Sequence, residues 1–275
     1  MRRMSKWFKW LSNRLLKIFG DIKVFHFPFF IIYDPGGYLV TGPDTRQAML
    51  IVKPGDLLVR GYMNYLDGYF IPGYFSHVGL YLGNVRPEDI ELVQSARGKE
   101  LFRSGEQIVA HAMAEGVFME DFINFCRCDY MVILRFPEQL SARPNPANAD
   151  ISAPEFTAAE LKISEALRGG QRLMFADVFK TVYNVALSQI GKAYDFQLNF
   201  ANYNNLSCTE FVYYCIKSLE PHHHLSPARK RFLIFDKVVL TPDAFVTSDL
   251  PLVWQSKSVQ QKKLDQIRGH SAPTS

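Results

Sequence analysis

The residue that most clearly offers chemistry is Cys208, which follows a polar loop and opens an apolar helical stretch. The loop contains Gly-Lys-Ala-Tyr-Asp-Phe at 191–196, and the cysteine stands in Leu-Ser-Cys-Thr-Glu-Phe-Val at 206–212. At a helix start, unpaired backbone N–H groups and the positive end of the helix dipole favour a thiolate. The same N–H groups can hold a developing oxyanion. The position therefore predicts a nucleophilic cysteine.

The second candidate is His77, which lies among apolar and small residues in Phe-Ser-His-Val-Gly-Leu-Tyr-Leu-Gly at 75–83. This stretch is typical of a buried strand. An imidazole beside a cysteine is a common means of activating a thiol. A strand histidine and a helix-start cysteine together have papain-type geometry, with the order along the chain reversed.

These segments resemble a known family. Ser-His-Val-Gly-Leu-Tyr-Leu-Gly, then Gly-Lys-x-Tyr-Asp and Cys-Thr-Glu-Phe-Val far downstream, are similar to the YiiX-type permuted papain-like amidases. That family is related to the NlpC-type peptidases and to lecithin-retinol-acyltransferase-like enzymes. The resemblance covers roughly residues 53 to 250. It implies an α+β, circularly permuted papain-like fold in which an antiparallel sheet packs against helices, with Cys208 as nucleophile and His77 as base.

The third polar residue departs from the family pattern, which commonly places a glutamate in the strand after the histidine strand. The matching position here holds His111, and we expect it to orient His77 through a hydrogen bond. Glu115 is the alternative third residue if that strand ends early. Tyr194 and Ser207 are predicted to line the site or to lie near the oxyanion, and packing is the alternative role for Tyr194.

The remaining cysteines and histidines have simpler interpretations. Cys215 is expected to be a buried core residue. Cys126 and Cys128 form a C-x-C pair without a second pair, which favours half-buried strand cysteines over a metal site. Glu210 is expected to cap or pair structurally, and the histidines at 222–224 to occupy a solvated loop. No metal or organic cofactor is expected.

Composition limits the class of protein. The 275 residues are 48% hydrophobic and 21% charged, which suits a globular chain with one sizeable core. The net charge of +4 and the lack of any nucleic-acid-binding motif argue against nucleic acid as a partner. Four cysteines are too few for a small disulfide-built domain, which favours a reducing compartment.

The chain divides into a basic helix at 1–20, an aromatic-rich and irregular lead-in at 21–52, a catalytic domain at 53–255 and a polar, frayed tail at 256–275. A proline-rich loop is predicted at 137–155. The predicted strands are Leu57–Val59, Tyr74–Leu82, Glu91–Ala96, Gln107–Ala112, Met131–Phe136 and Phe232–Leu240. The predicted helices are 155–168, 174–190 and Cys208–Ser218, and Thr241 begins a further helix.

Residues 4–19 place Trp, Phe, Leu and Ile at helical spacing among arginines and lysines, with no acidic residue before Asp21. Such a helix suits an anionic membrane surface, and docking on the enzyme body is the equal alternative. No apolar run is long enough to span a bilayer, and lysines and arginines interrupt any signal-peptide core. We expect a cytoplasmic protein, with peripheral membrane attachment left open.

The sequence thus predicts a thiol-dependent hydrolase, a peptidase or amidase, that cleaves an amide, isopeptide or ester bond through an acyl-enzyme, with acyl transfer as a variant. Its partners would be a peptide, amide or acyl-ester substrate. The alternative function is a catalytically inactive or acyl-binding membrane-associated module that uses the same groove.

Overall fold

The computed structural model describes residues 37–63, 73–143, 154–198, 200, 202–223, 225, 227 and 238–269, together with the backbone of 22–26, 29–33, 228–232 and 235–237. The predicted basic helix at 4–19 lies outside the described residues. So do residues 144–153 of the predicted proline-rich loop.

The described strands, in chain order, are β1 (Ile22–His26), β2 (Phe29–Tyr33), β3 (Leu57–Gly61), β4 (His77–Val85), β5 (Gly105–Met113), β6 (Gly116–Asp121), β7 (Tyr130–Leu134), β8 (Gln139–Leu140), β9 (Leu173–Met174), β10 (Ala228–Phe232), β11 (Phe235–Val239) and β12 (Leu252–Gln255). Six of them form one antiparallel sheet in the order β12-β7-β3-β4-β5-β6. The hairpins β1–β2 and β10–β11 and the short pair β8–β9 stand apart from it.

The described α-helices are α1 (Gly42–Ile51), α2 (Ala96–Leu101), α3 (Phe122–Phe125), α4 (Ala158–Arg168), α5 (Phe175–Gln189), α6 (Cys208–Ile216), α7 (Glu220–His223), α8 (Pro242–Thr247) and α9 (Gln261–Gly269). Helix α6 packs against β4, β5 and α5. The α+β class and the antiparallel sheet packed against helices are therefore confirmed.

The two faces of the sheet are buried in two separate clusters. Val78 and Leu80 of β4 join the larger cluster, which includes Phe211 of α6. The smaller cluster lies on the opposite face and is built around Phe122 and Phe125. Because side chains alternate along a strand, His77 and Gly79 point to the side of Phe125, away from Val78. His77 is thus carried on the face that the smaller cluster covers.

One predicted strand is wrong, because capped helix starts prevail there. The predicted strand Glu91–Ala96 is instead a 3-10 helix, Pro87–Leu92, followed by α2. Asp89 accepts from the Arg86 N–H, and Ser95 accepts from the Gly98 N–H, so both starts are capped. The predicted strand Phe232–Leu240 is confirmed over Phe235–Val239, which is β11 and pairs with β10.

The described parts of the lead-in at 21–52 and of the tail at 256–275 are more regular than predicted. The lead-in is not irregular, since it contains the β1–β2 hairpin and α1, where Thr41 and Asp44 form a capping box. The tail is not frayed after Gln255, because α9 buries Leu264 in the larger cluster.

Two predictions of exposure are also wrong. Cys126 and Cys128 are fully buried, and they follow α3 instead of lying in a strand. His222 and His223 are buried within α7. His222 Nδ1 contacts the Ser141 carbonyl, and His223 Nδ1 accepts from the Leu225 N–H. Cys215 is a buried free thiol, as predicted.

Candidate active site at the start of helix α6

The start of α6 is fixed by a reciprocal cap. Ser207 Oγ accepts from the Glu210 N–H at 3.3 Å, and Glu210 Oε2 accepts from the Ser207 N–H at 2.8 Å. This capping box makes Cys208 the first residue of the helix. Glu210 therefore has the structural role that the sequence predicts, and Cys208 lies where the backbone N–H groups are unpaired by the helix.

The Cys208 thiol lies against backbone donors. The N–H groups of Val78 and Thr209 approach the sulfur and lower its pKa, and the positive charge of Arg60 acts in the same direction. Burial outweighs them and raises the pKa of Cys208 to about 11. The side chain is only 3% exposed, so at neutral pH it is a neutral thiol. Activation thus requires a base.

His77 is the first residue of β4, next to the Val78 N–H that contacts the sulfur. Its Nε2 lies 2.9 Å from His111 Nδ1, and the two rings meet edge to face. Burial, together with Arg60 and His111, lowers the pKa of His77 well below its usual value. The imidazole is therefore a neutral base, and no hydrogen bond within the described residues joins it to the Cys208 thiol.

His111 carries the contact on to a carboxylate. Its Nε2 lies 2.9 Å from Glu120 Oε1, although the ring N–H does not point straight at that oxygen. Burial would raise the pKa of Glu120, but the hydrogen bond and charge of His111 and the charge of Arg60 lower it overall. With Glu120 ionised, His111 carries its proton on Nε2 and accepts at Nδ1. His77 then donates from Nε2, which leaves Nδ1 as its basic nitrogen.

Arg60 is the buried cation of this region. It is the cross-strand partner of His77 in β3, and its guanidinium lies 4.1 Å from the centre of the Phe125 ring. Its Nη1 donates to the Phe125 carbonyl at 2.6 Å and lies 3.8 Å from Glu120 Oε1. The side chain thus reaches from β3 across β4 to the carboxylate that ends the histidine chain.

The loop before Cys208 is held by the carboxylate that caps the helix. Glu210 Oε1 accepts from the Phe200 N–H at 2.9 Å. Phe200 and Leu198 have φ near +53° and +54°, a region unfavourable for side chains of this size. Burial raises the pKa of Glu210 to about 7, against the pull of these N–H donors. One side chain therefore fixes both the helix start and a strained loop.

A second carboxylate holds the chain that enters β4. Asp243, in the first turn of α8, accepts from the N–H groups of Tyr74 at 2.9 Å and Phe75 at 2.7 Å. These donors lie three and two residues before His77. Gly73 leaves the space, since a Cβ there would come within 2.6 Å of the Asp243 carboxylate. The backbone that carries His77 is thus fixed from α8.

The loop before Cys208 also docks on the edge of the sheet. The Val117 N–H donates to Lys192 O, and the Gly191 N–H donates to Val117 O, both at 2.8 Å. The approach requires a glycine at 116, because a Cβ there would lie 2.2 Å from Lys192 O. The Gly-Lys-Ala-Tyr-Asp segment is thus tied to β6, the strand that carries Glu120.

The structure brings some of the predicted site residues together and leaves others apart. His77 and His111 are in contact, and the Cys208 sulfur contacts the residue after His77. Ser207 is adjacent, but its N–H and hydroxyl serve the helix cap. Tyr194 is half-buried, with its ring packed against Phe196. Glu115 lies exposed in the β5–β6 turn, and none of its described contacts reaches His77.

Sequence reasoning missed Glu120 and Arg60. Glu120 could have been found: Ala114 and Glu115 form a two-residue turn, which places Glu120 opposite Val109, on the face of His111. Arg60 follows directly on the predicted strand Leu57–Val59. No sequence pattern shows that its side chain crosses a neighbouring strand.

Among the described residues, no group of histidine, cysteine and carboxylate side chains could hold a metal ion. In the same part of the chain, no helix has the length and apolar character needed to cross a membrane. Comparisons with protein-family models, curated proteins and solved structures find no match.

Proposed function

We propose that this chain is a cysteine hydrolase that cleaves an amide, isopeptide or ester bond, with Cys208 as nucleophile and His77 as base. The observation that carries the proposal is the chain of contacts Glu120–His111–His77, whose last member directly precedes Val78, the residue whose N–H approaches the Cys208 sulfur. A nucleophile, a base and groups that orient the base are the parts that covalent acyl transfer requires.

In the proposed first step, the proton of the Cys208 thiol passes through one water at the start of β4 to His77 Nδ1 as the sulfur attacks the carbonyl carbon. The water is needed because the imidazole lies on the sheet face opposite α6. Because the resting pair is a neutral thiol and a neutral imidazole, this transfer accompanies attack instead of preceding it. Glu120, acting through His111, stabilises the imidazolium that forms, whereas Arg60 opposes it. His77 then gives the proton to the leaving amine or alkoxide.

The tetrahedral oxyanion is assigned to the Cys208 N–H, which has no acceptor among the described hydrogen bonds. The Ser207 N–H is excluded from this role because it donates to Glu210. Water, activated by His77, would release the acyl group, and an alcohol or amine acceptor in its place would make the enzyme an acyltransferase.

A circularly permuted papain-like fold is the finer architecture that we propose. Its support is the order of the parts, with the base on β4, the orienting histidine on β5, and the nucleophile later, on a helix packed against those two strands. An anionic membrane surface as partner, contacted through residues 4–19, belongs to the same proposal and would favour substrates near the membrane.

The test is site-resolved alkylation with iodoacetamide, read by peptide mass spectrometry. Cys208 should react selectively near pH 7 in the folded protein, and His77→Ala should slow it by about 100-fold or more, because the thiol then lacks its base. Cys215, in the same helix and equally buried, is the internal reference. Equal labelling of Cys208 and Cys215, unchanged by His77→Ala, would refute the hydrolase.

A binding module without turnover is the second candidate. The burial of Cys208 and its raised pKa favour it, since both describe a resting thiol of low reactivity. The same alkylation decides between the two functions, because a binding module predicts no dependence of Cys208 labelling on His77.

A further inference from the structure

The guanidinium of Arg60 has one edge in use. On that edge, Nη1 donates to the Phe125 carbonyl and faces Glu120 Oε1 at 3.8 Å. The face of the group lies on the Phe125 ring. With 3% of its surface exposed, Arg60 is among the most buried charged residues of the described chain.

The other edge of Arg60 is nearly unused. Its Nε is buried and has no acceptor among the described residues. Its Nη2 meets only the Met113 sulfur, at 3.7 Å, and a thioether is a weak acceptor. Buried donors without acceptors are costly, so this edge calls for a partner. Nε and Nη2 lie side by side in one plane, which is the arrangement that binds a carboxylate through both of its oxygens.

The unused edge belongs to the candidate active site. Arg60 is paired with His77 across β3 and β4, and its charge acts on His77 and on the Cys208 thiol. Met113, which covers the edge, ends β5 and is 37% exposed. Movement of this one flexible side chain would connect the edge with solvent.

From this geometry we propose that Arg60 binds a carboxylate of the substrate through Nε and Nη2, on the His77 side of the candidate active site. The proposal rests on the proposed function and names its substrate class, acyl compounds with a free carboxylate close to the scissile bond. A monoanion fits better than a phosphate dianion, because Glu120 already supplies one negative charge next to the guanidinium.

The probe pair is iodoacetate and iodoacetamide, which differ in one charged group and deliver the same carbon to the thiol. The rate constant of Cys208 with iodoacetate is divided by its rate constant with iodoacetamide, and this ratio is then divided by the same ratio for N-acetylcysteine. We expect this normalised ratio to be about 5 or more in the wild type, since a pair of hydrogen bonds between a guanidinium and a carboxylate is strong. The pair 3-iodopropionate and 3-iodopropionamide extends the reach by one methylene.

Arg60→Lys keeps the charge but lacks the two-donor edge, and it should bring the ratio close to one. Because the ratio compares two probes on the same variant, any change in the general reactivity of Cys208 cancels from it. Met113→Ala, which uncovers the edge, should raise the ratio. Arg127→Met removes an exposed arginine packed on Tyr38 and is the matched control, with the wild-type ratio expected.

Wild-type ratios near one with both probe pairs would overturn the carboxylate site, whatever the variants do. The same holds for a raised ratio that survives Arg60→Lys. Failure of the hydrolase itself is recognised separately, because Cys208 would then react with iodoacetamide no faster than Cys215.

Discussion

The two ends of helix α6 contain the same kinds of residue in opposite states. Each end has a buried cysteine, a buried carboxylate and a buried cation whose charge acts on the cysteine. These are Cys208, Glu210 and Arg60 at the start of the helix, and Cys215, Glu160 and Lys217 at its end. At the C-terminal end, Lys217 donates to Glu160 and to Tyr214 O and lies 3.7 Å from the centre of the Tyr214 ring. At the N-terminal end, Arg60 leaves one nitrogen without an acceptor. A satisfied cluster stabilises the fold, and an unsatisfied one retains donors for a ligand.

The largest effect is expected at the satisfied end. Lys217→Met leaves Glu160 buried at 1% exposure without its cation, which should cost about 3–5 kcal/mol in the free energy of unfolding. Chemical denaturation measures the loss. Glu160→Gln combined with Lys217→Met should recover part of it, because no charge then remains buried. The comparison fails if Lys217→Met unfolds as the wild type does.

The next effect is a pH dependence at the N-terminal end. Because the pKa of Glu210 is about 7 in the folded chain and near 4.5 unfolded, the folded state retains a proton that the unfolded state has lost. This carboxyl therefore lowers the free energy of unfolding as the pH rises from about 4.5 to about 7, by on the order of 3 kcal/mol. Outside that pH range, Glu210 does not change the free energy of unfolding with pH.

Denaturation curves of wild type and Glu210→Gln across this pH range measure the difference. The variant should lose the slope and also weaken the contacts to Phe200 and Ser207, since an amide can accept only through its oxygen. Asp195 and Tyr203 interact electrostatically with the Glu210 carboxyl, and both residues are present in the wild type and in the variant. Parallel curves would show that Glu210 does not titrate in this window.

A smaller effect tests the end of the histidine chain. Glu120→Gln removes the charge that fixes the His111 tautomer, and we expect Cys208 alkylation by iodoacetamide to slow about 10-fold. Glu115→Gln, in the exposed turn of the same hairpin, is the matched control and should react as the wild type does. A larger effect at Glu115 would restore it as the third residue.

The smallest effect compares two helix caps. Ser207→Ala should cost about 1 kcal/mol, as should Thr157→Ala at the start of α4, because each removes one capping hydroxyl. Only Ser207→Ala should also slow Cys208 alkylation, since only this cap positions the nucleophile. Equal alkylation rates in the two variants would remove the link between the α6 cap and reactivity.

The sequence by itself determined two local elements of the candidate site, the start of helix α6 and the buried strand that carries His77. Ser207 and Glu210, three residues apart before an apolar run, define a capped helix start, and that places Cys208 at its first residue. The apolar stretch around His77 defines a buried strand. Capping and periodicity depend on neighbours within a few residues, so they can be read from the chain.

Only the tertiary structure decided what completes the site. Glu120 reaches His111 because the β5–β6 register places both on one face, and Arg60 reaches them by crossing β4. Gly79 permits the crossing, since a Cβ there would lie 2.7 Å from the Phe125 ring that covers the arginine. Contacts across three strands depend on register and packing, which no local pattern records. The residues proposed as nucleophile and base could therefore be named from the sequence, whereas the position of Arg60 beside them could not.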